Sequence, residues 1–252
     1  MAHILTEESS LTRRRRSLEK ETGALQTLLR WEAGLAALLT VAGVAVIFVR
    51  GDATLFWLGI AAGVFFLAHY IRIRQNSREE RIVQAGLKGE TEVTRRLAEA
   101  LDNSHYIFND LLIKQGRQSA QIDHLVVSPK GIFAIETKNW RGRIEGREDE
   151  DRWSQFKQPD KPPIRVSNPI KQTRRHVDIL RGALERAGID WPGIVSIVVF
   201  MSPNTEFSVQ DSKTPVLRPK EAVDYIANYQ AEREYSEDEV TAILNLLMRN
   251  KR

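Results

Sequence analysis

The chain has 252 residues, 42% hydrophobic and 28% charged, the composition of a folded protein with one ordinary domain and further segments. It has no cysteine, which excludes disulfides and thiolate metal sites. The formal charge of +4 falls entirely before residue 89 and the remainder is neutral, so the basic balance says little about what the C-terminal part binds.

In chain order, residues 1–30 read as a basic cytoplasmic N-terminal segment. "RRRR" at 13–16 is followed by Lys20 and Arg30, and residues 11–30 have helical spacing with Leu18, Leu25, Leu28 and Leu29 loosely on one side. Two readings stay open: an amphipathic helix lying on an anionic leaflet, or a solvated tail that obeys the positive-inside rule.

Ala33 to Val49 and Ala53 to Ile71 are uncharged apart from His69, and only Arg50-Gly51-Asp52 separates them. Each run is near the lower end of the ~17–25 residues that cross a bilayer core. The expectation is a transmembrane helical hairpin over 31–73, with membrane lipid as a partner. Basic residues flank its open end, Arg72, Arg74, Arg78 and Arg81 among them, which places both termini in the cytoplasm. Gly59 and Gly63, four apart, would let the helices approach closely. Residues 74–85 read as a linker helix.

From Gly86 the pattern becomes that of an α/β domain, 86–252. Val93, Leu97, Ala100 and Leu101 have helical spacing. "HYIFNDLLI", "QIDHLVVS" and "IFAIETK" follow as three strands, the last two joined by the turn Ser128-Pro129-Lys130-Gly131. Residues 139–167 read as a long polar region. Asn168-Pro169 opens a helix, "GIVSIVVFM" is a buried strand, a weaker strand sits near "TPVLR", and two closing helices end the chain. The order α-β-β-β-α-β implies a meander joined in parallel by the last strand, a mixed sheet covered by helices.

Three charges interrupt the central hairpin. Glu136 and Lys138 share a strand face, and pairing about Pro129-Lys130 brings Asp123 nearly opposite Glu136. Two carboxylates at that separation repel, and a divalent cation relieves the repulsion. Mg²⁺ (or Mn²⁺) takes one or two carboxylates and completes its shell with water and substrate phosphate. Such an ion polarises a phosphodiester and activates water, and a neighbouring ammonium stabilises charge on the phosphate. The competing reading is an ion pair in which Lys138 bridges Asp123 and Glu136 with no chemistry. His124, by alternation, faces away, and Trp153 reads as a packing residue.

Asp123 with Glu136-Thr137-Lys138 resembles the PD-(D/E)xK nuclease signature. Gly89-Glu90, Gln121-Ile122-Asp123-His124, Gly131-Ile132-Phe133, Glu136-Thr137-Lys138, Trp153 and "NPIKQ" from 168 to 172 resemble, in order, the nuclease-related domain (NERD) family. The resemblance implies a restriction-endonuclease-like core and a Mg²⁺-dependent nuclease acting on nucleic acid, DNA or RNA. It implies metal binding by Asp123 and Glu136, a catalytic role for Lys138, an additional acidic ligand in Glu90 and a polar neighbour of the metal in Gln121. Gln172 would reach phosphate or a catalytic water. The neutral balance of the domain and "EDED" at 148–151 do not advertise a nucleic-acid groove. Lys157, Lys161, Arg165, Lys171, Arg174 and Arg175 would supply a basic stripe around the later helix, with Lys171 and Arg174 contacting nucleic acid. The alternative function is a non-catalytic module that keeps the nuclease fold and binds nucleic acid or protein.

Overall fold

The computed structural model describes residues 1–5, 9–50, 53–189, 191 and 193–249. The chain divides into two compact units, Ser10–Ala85 and Met1–Ser9 with Gly86–Arg252. The basic segment 1–30 is thus shared between them.

The first unit is an antiparallel helical hairpin. It contains α1 (Ser10–Arg50) and the larger part of α2 (Thr54–Ala100). Gly51 and Asp52 of the expected joint lie outside the described residues. Both helices are long and apolar enough to cross a membrane, and their apolar stretches are almost entirely exposed, Leu38, Val41, Val64 and Phe65 included. At 1.5 Å per residue α1 is roughly 60 Å long, about twice a bilayer core. The surplus is a polar stalk. There Arg14 pairs with Glu79 at 2.6 Å and Arg72 with Glu21 at 2.7 Å. Leu18, Thr22 and Leu25 of α1 and Asn76 and Val83 of α2 are buried. Leu18 and Leu25 therefore pack inside protein and do not lie on a leaflet, because α2 continues past the apolar run and offers a second helix; Leu28 stays exposed. Of the two glycines, Gly59 lies against Thr40, where a Cβ would overlap the threonine, whereas nothing approaches Gly63.

The second unit is α/β with two sheets. The strands are β1 (His3–Ile4), β2 (Tyr106–Gln115), β3 (Gln118–Ser128), β4 (Gly131–Lys138), β5 (Gly142–Arg147), β6 (Arg152–Phe156), β7 (Ile164–Ser167), β8 (Ile194–Phe200), β9 (Thr205–Gln210) and β10 (Val216–Leu217). The helices are the end of α2, α3 (Pro169–Arg186), α4 (Pro219–Ala227) and α5 (Glu237–Arg249). The larger sheet has the order β1-β2-β3-β4-β8-β10 and the smaller one β7-β6-β5-β9.

In the larger sheet β2, β3 and β4 form the expected antiparallel meander, and β8 joins β4 in parallel after α3. Helices cover both faces. Phe108, Leu125, Val127, Ile132 and Ala134 pack with Val177 and Leu180 of α3 and Ile243 of α5. Ile107, Val126, Phe133 and Ile135 pack with Val93 and Leu97 of α2 and Val223 of α4. The N-terminal β1 adds in parallel to the edge at β2.

The smaller sheet was not expected from the sequence. The region 139–167 is β5, β6 and β7, and β9 completes them. Its inner face carries Ile144, Trp153 and Val166, which pack on Ile170, Val198 and Phe200. Trp153 is indeed a packing residue; its Nε1–H donates to the Arg147 carbonyl at 2.8 Å. Gly146 makes room for it, since a Cβ there would overlap the indole.

Candidate active site

The site is built where the larger sheet bends. Ile107 of β2 and Val126 of β3 face the α2 layer. By alternation Leu111, Ile113, Ala120 and Ile122 should face it too, yet all four pack in the α3 layer. Both strands therefore change sides between these residues. The change centres on Asp110 and Asp123, which lie opposite each other between the paired residues Asn109–His124 and Leu111–Ile122. Asp110 has φ 52°, a left-handed conformation that Asp tolerates better than most residues. The Gln121 side-chain amide donates to its carboxylate.

Across the next pair of strands the register is His124–Ile135, Leu125–Ala134 and Val127–Ile132, the pairing expected about Pro129-Lys130. It carries Asp123 to the level of Glu136 and Thr137. Asp123 Oδ2 accepts from the Thr137 backbone N–H at 2.8 Å and from its hydroxyl at 3.0 Å. Glu136 is only 1% exposed, beneath α3. Its Oε1 accepts from Lys138 Nζ at 2.5 Å, and its buried Oε2 has no hydrogen-bond partner. Lys138 Nζ also donates to Gln172 Oε1 of α3 at 3.2 Å. His176, one turn beyond Gln172, brings Nδ1 to 3.6 Å from Glu136 Oε2.

The electrostatics are those of crowded acids. Burial first, then the neighbouring Asp123 charge, pushes Glu136 up to about 8, against the opposing effect of Lys138. Burial, then Asp123, Asp110 and Glu136, pushes Glu90 of α2 up to about 8. His176 is pushed down to about 4 by burial, then by Lys138 and Arg175, so its imidazole is neutral at pH 7. His124 is fully buried and directed to Asn109 at 2.7 Å, away from Asp123 as alternation requires; burial holds it at about 4.

These residues fit a divalent cation of the magnesium type. Among the described residues no three Asp, Glu or His side chains converge closely enough to hold an ion alone. Mg²⁺ does not require three, since water and substrate phosphate complete its shell. An unpartnered buried carboxylate oxygen beside a second carboxylate is the donor set that such an ion uses.

The family model described as nuclease-related domain matches residues 85–201. Over those residues the chain is similar to a nuclease-related domain. The chain is also 31% identical over 104 residues to an uncharacterized protein of Bacillus anthracis, covering 40% of this chain and 47% of that protein. The chain thus spans about half the length of the curated relative it matches. No solved structure matches.

Within the matched residues the structure gathers Glu90, Asp123, Glu136 and Lys138, with Gln172 joined to the lysine. Gln121 touches the group through Asp110. Lys171 and Arg174 bond elsewhere. Lys171 pairs with Asp151 at 2.6 Å, and Arg174 with Glu148. The other Glu148 oxygen accepts from Ser212 Oγ and from the Lys213 and Thr214 N–H groups at 2.6 to 3.1 Å. Asn168 holds this acidic turn, donating to the carbonyls of Arg147, Glu148 and Glu150, while its Oδ1 caps α3. Two residues of the cluster escaped sequence reasoning. Asp110 stood in an apparently ordinary strand, and His176 showed itself only as the residue four after Gln172.

Proposed function

We propose that the chain is a membrane-anchored, Mg²⁺- or Mn²⁺-dependent nuclease that acts on nucleic acid at the cytoplasmic face. The observation that carries this reading is Glu136: a buried carboxylate with one oxygen unpartnered, next to Asp123 and bonded to Lys138. A buried like-charged pair is costly unless something compensates it. A bound divalent ion supplies Lewis acidity at the phosphodiester and a water of lowered pKa.

The side chains do the rest. Asp123 and Glu136 hold the ion, and Thr137 fixes the Asp123 carboxylate through two hydrogen bonds. Glu90, which burial and then the Asp123, Asp110 and Glu136 charges push up to about 8 in the metal-free chain, brings a third acidic side chain to the surroundings of the ion. Lys138, steadied by Gln172, offers an ammonium to charge developing on the phosphate. The purified full chain in detergent is expected to cleave a DNA or RNA substrate only with Mg²⁺ or Mn²⁺, and Asp123→Ala is expected to abolish this. Full activity in that variant would remove the assigned site.

A second reading has two observations in its favour. Lys138 already bonds to Glu136, and the acidic turn already engages Lys171 and Arg174. A binding module without catalysis would look the same. Absence of cleavage by the wild type on single-stranded, duplex, branched and RNA substrates would favour it.

The membrane reading draws on the two exposed apolar helices and on connectivity. β1 before the hairpin and the strands after it belong to one sheet, which supports a hairpin with both ends on one side. Basic flanks assign that side to the cytoplasm. Because the chain lacks cysteine, single cysteines can report this. Ser9→Cys and Lys220→Cys are both expected to resist a membrane-impermeant maleimide in intact cells and to react after lysis. Labelling of either in intact cells would reverse the orientation.

A further inference from the structure

We propose that the solvent-facing side of the β7-β6-β5-β9 sheet carries single-stranded nucleic acid, with phosphates on Arg143, Arg152, Lys157, Lys161 and Arg165 and a base on Phe156. The proposal rests on the reading of nucleic acid as substrate and names the surface that would present it.

Alternation defines this side. Ile144, Trp153 and Gln155 are buried, so Arg143, Arg152, Ser154 and Phe156 point outward. Register aligns Arg143 with Phe156 and Ser154 with Arg165. Lys157 and Lys161 extend the same strands into the exposed β6–β7 connection.

Charge then selects the occupant. The chain from residue 89 onward is neutral as a whole. Its outward-facing carboxylates on this sheet, Glu145 and Glu206, lie on β5 and β9, and Glu145 pairs with Arg143, which a phosphate would have to share. β6, β7 and their connection carry the two lysines, Arg152 and Arg165 against Asp160. The stripe expected around α3 is thereby divided. Lys171 and Arg174 are paired with the acidic turn, whereas Lys157, Lys161 and Arg165 belong to this sheet.

Phe156 supplies the second element. It is half-buried on an otherwise polar face, and the Arg143 guanidinium lies 4.3 Å from its ring centre. An aromatic ring beside a guanidinium on a basic sheet fits unpaired bases, which expose their faces for stacking. Duplex hides those faces. The surface is also close to the cluster: Arg143 follows Lys138 by five residues, at most about 17 Å of extended chain.

Binding to this face needs no metal, so the full chain in detergent with EDTA and a fluorescein-labelled 20-nucleotide single strand tests it without cleavage. Fluorescence anisotropy is read across a salt series. The Arg143→Ala, Arg165→Ala double variant is expected to bind about tenfold more weakly, with a salt slope reduced by roughly 1.4, about 0.7 per lost phosphate contact. Phe156→Ala is expected to lose about tenfold with the slope unchanged, and Phe156→Tyr to restore binding. Lys220→Ala, on α4, controls for charge alone, and a thermal melt confirms that each variant folds. Wild-type affinity and slope in folded double and Phe156→Ala variants would overturn this surface while leaving wild-type cleavage, and the nuclease reading, intact. Equal or tighter binding of a blunt duplex would overturn it as well. A wild type that neither binds nor cleaves would overturn both.

Discussion

Lys138→Ala is expected to lower cleavage by about 10²–10³-fold, the usual loss when one group aimed at developing charge is removed. The ammonium is held on two sides, by Glu136 Oε1 at 2.5 Å and Gln172 Oε1 at 3.2 Å, and its side chain is 18% exposed. It is thus close enough to the surface to meet a phosphate and too constrained to wander. The loss should appear in kcat, with KM little changed, because one charge among many phosphate contacts adds little affinity. Lys138→Arg should recover only part of the rate: a planar fork cannot reproduce a compact ammonium between two acceptors. Lys138→Met separates chemistry from packing, since it keeps an unbranched stem and removes only the ammonium, which lies 5.9 Å from the Trp140 ring centre. Removing the cation leaves Glu136 buried beside Asp123, and the carboxyl answers by holding its proton more tightly. Wild-type turnover in Lys138→Met would show that the lysine is only half of an ion pair.

How far the sequence could be read depended on where the information lay. The central hairpin was legible because two strands of eight or more residues alternate around a Pro-Lys turn, and one pairing rule then placed Asp123 against Glu136. The helix caps were legible for the same local reason. Asn168 caps α3, and Ser236 and Glu239 exchange hydrogen bonds ahead of α5. The smaller sheet was not legible. Its strands are four to six residues long, and each contributes one or two apolar side chains, such as Ile144, Trp153 and Val166, among arginines and serines. Such a pattern resembles a polar loop until a partner surface, here Phe200 and Ile170, is present to receive it. β1 was missed because a two-residue edge strand carries no periodicity.

The site shows the same division. Asp123, Glu136 and Lys138 lie on adjacent strands, so alternation found them. Asp110 joins the cluster only because β2 and β3 change faces together, and a left-handed Asp inside a strand leaves no mark on the hydrophobic pattern. His176 joins through the packing of α3 on β4, a tertiary fact. The cations of α3 have partners that spacing did not reveal. Spacing put Lys171 and Arg174 on a helix near the cluster, but the Asn168 anchor brings Glu148 and Asp151 to them first.

Glu136→Gln should abolish cleavage and yet make the metal-free chain more stable at alkaline pH. The folded-state value of Glu136 is about 8, raised from 4.5 by burial and by Asp123. Between those values the folded chain keeps a proton that the unfolded chain has released. Stability therefore falls as pH rises through this window and levels off above it, once both states are ionised. Glutamine mimics the protonated form. It keeps an acceptor for Lys138 and puts a donor at the Oε2 position, which has no partner in the wild type. In EDTA the two proteins should melt together near pH 4.5 and diverge toward pH 8.5, with the variant higher by about 2–4 °C for each kcal/mol of relieved repulsion. Mg²⁺ should then stabilise the wild type by mass action, by about 2.7 kcal/mol at a hundred times its Kd, and leave the variant nearly unmoved. Melting temperatures that run parallel across pH, with no wild-type response to Mg²⁺, would mean that the buried acids are no cation site. A gap that opens with pH and closes with Mg²⁺ would identify the charge of Glu136, buried and set beside Asp123, as the cost that binding of the ion relieves.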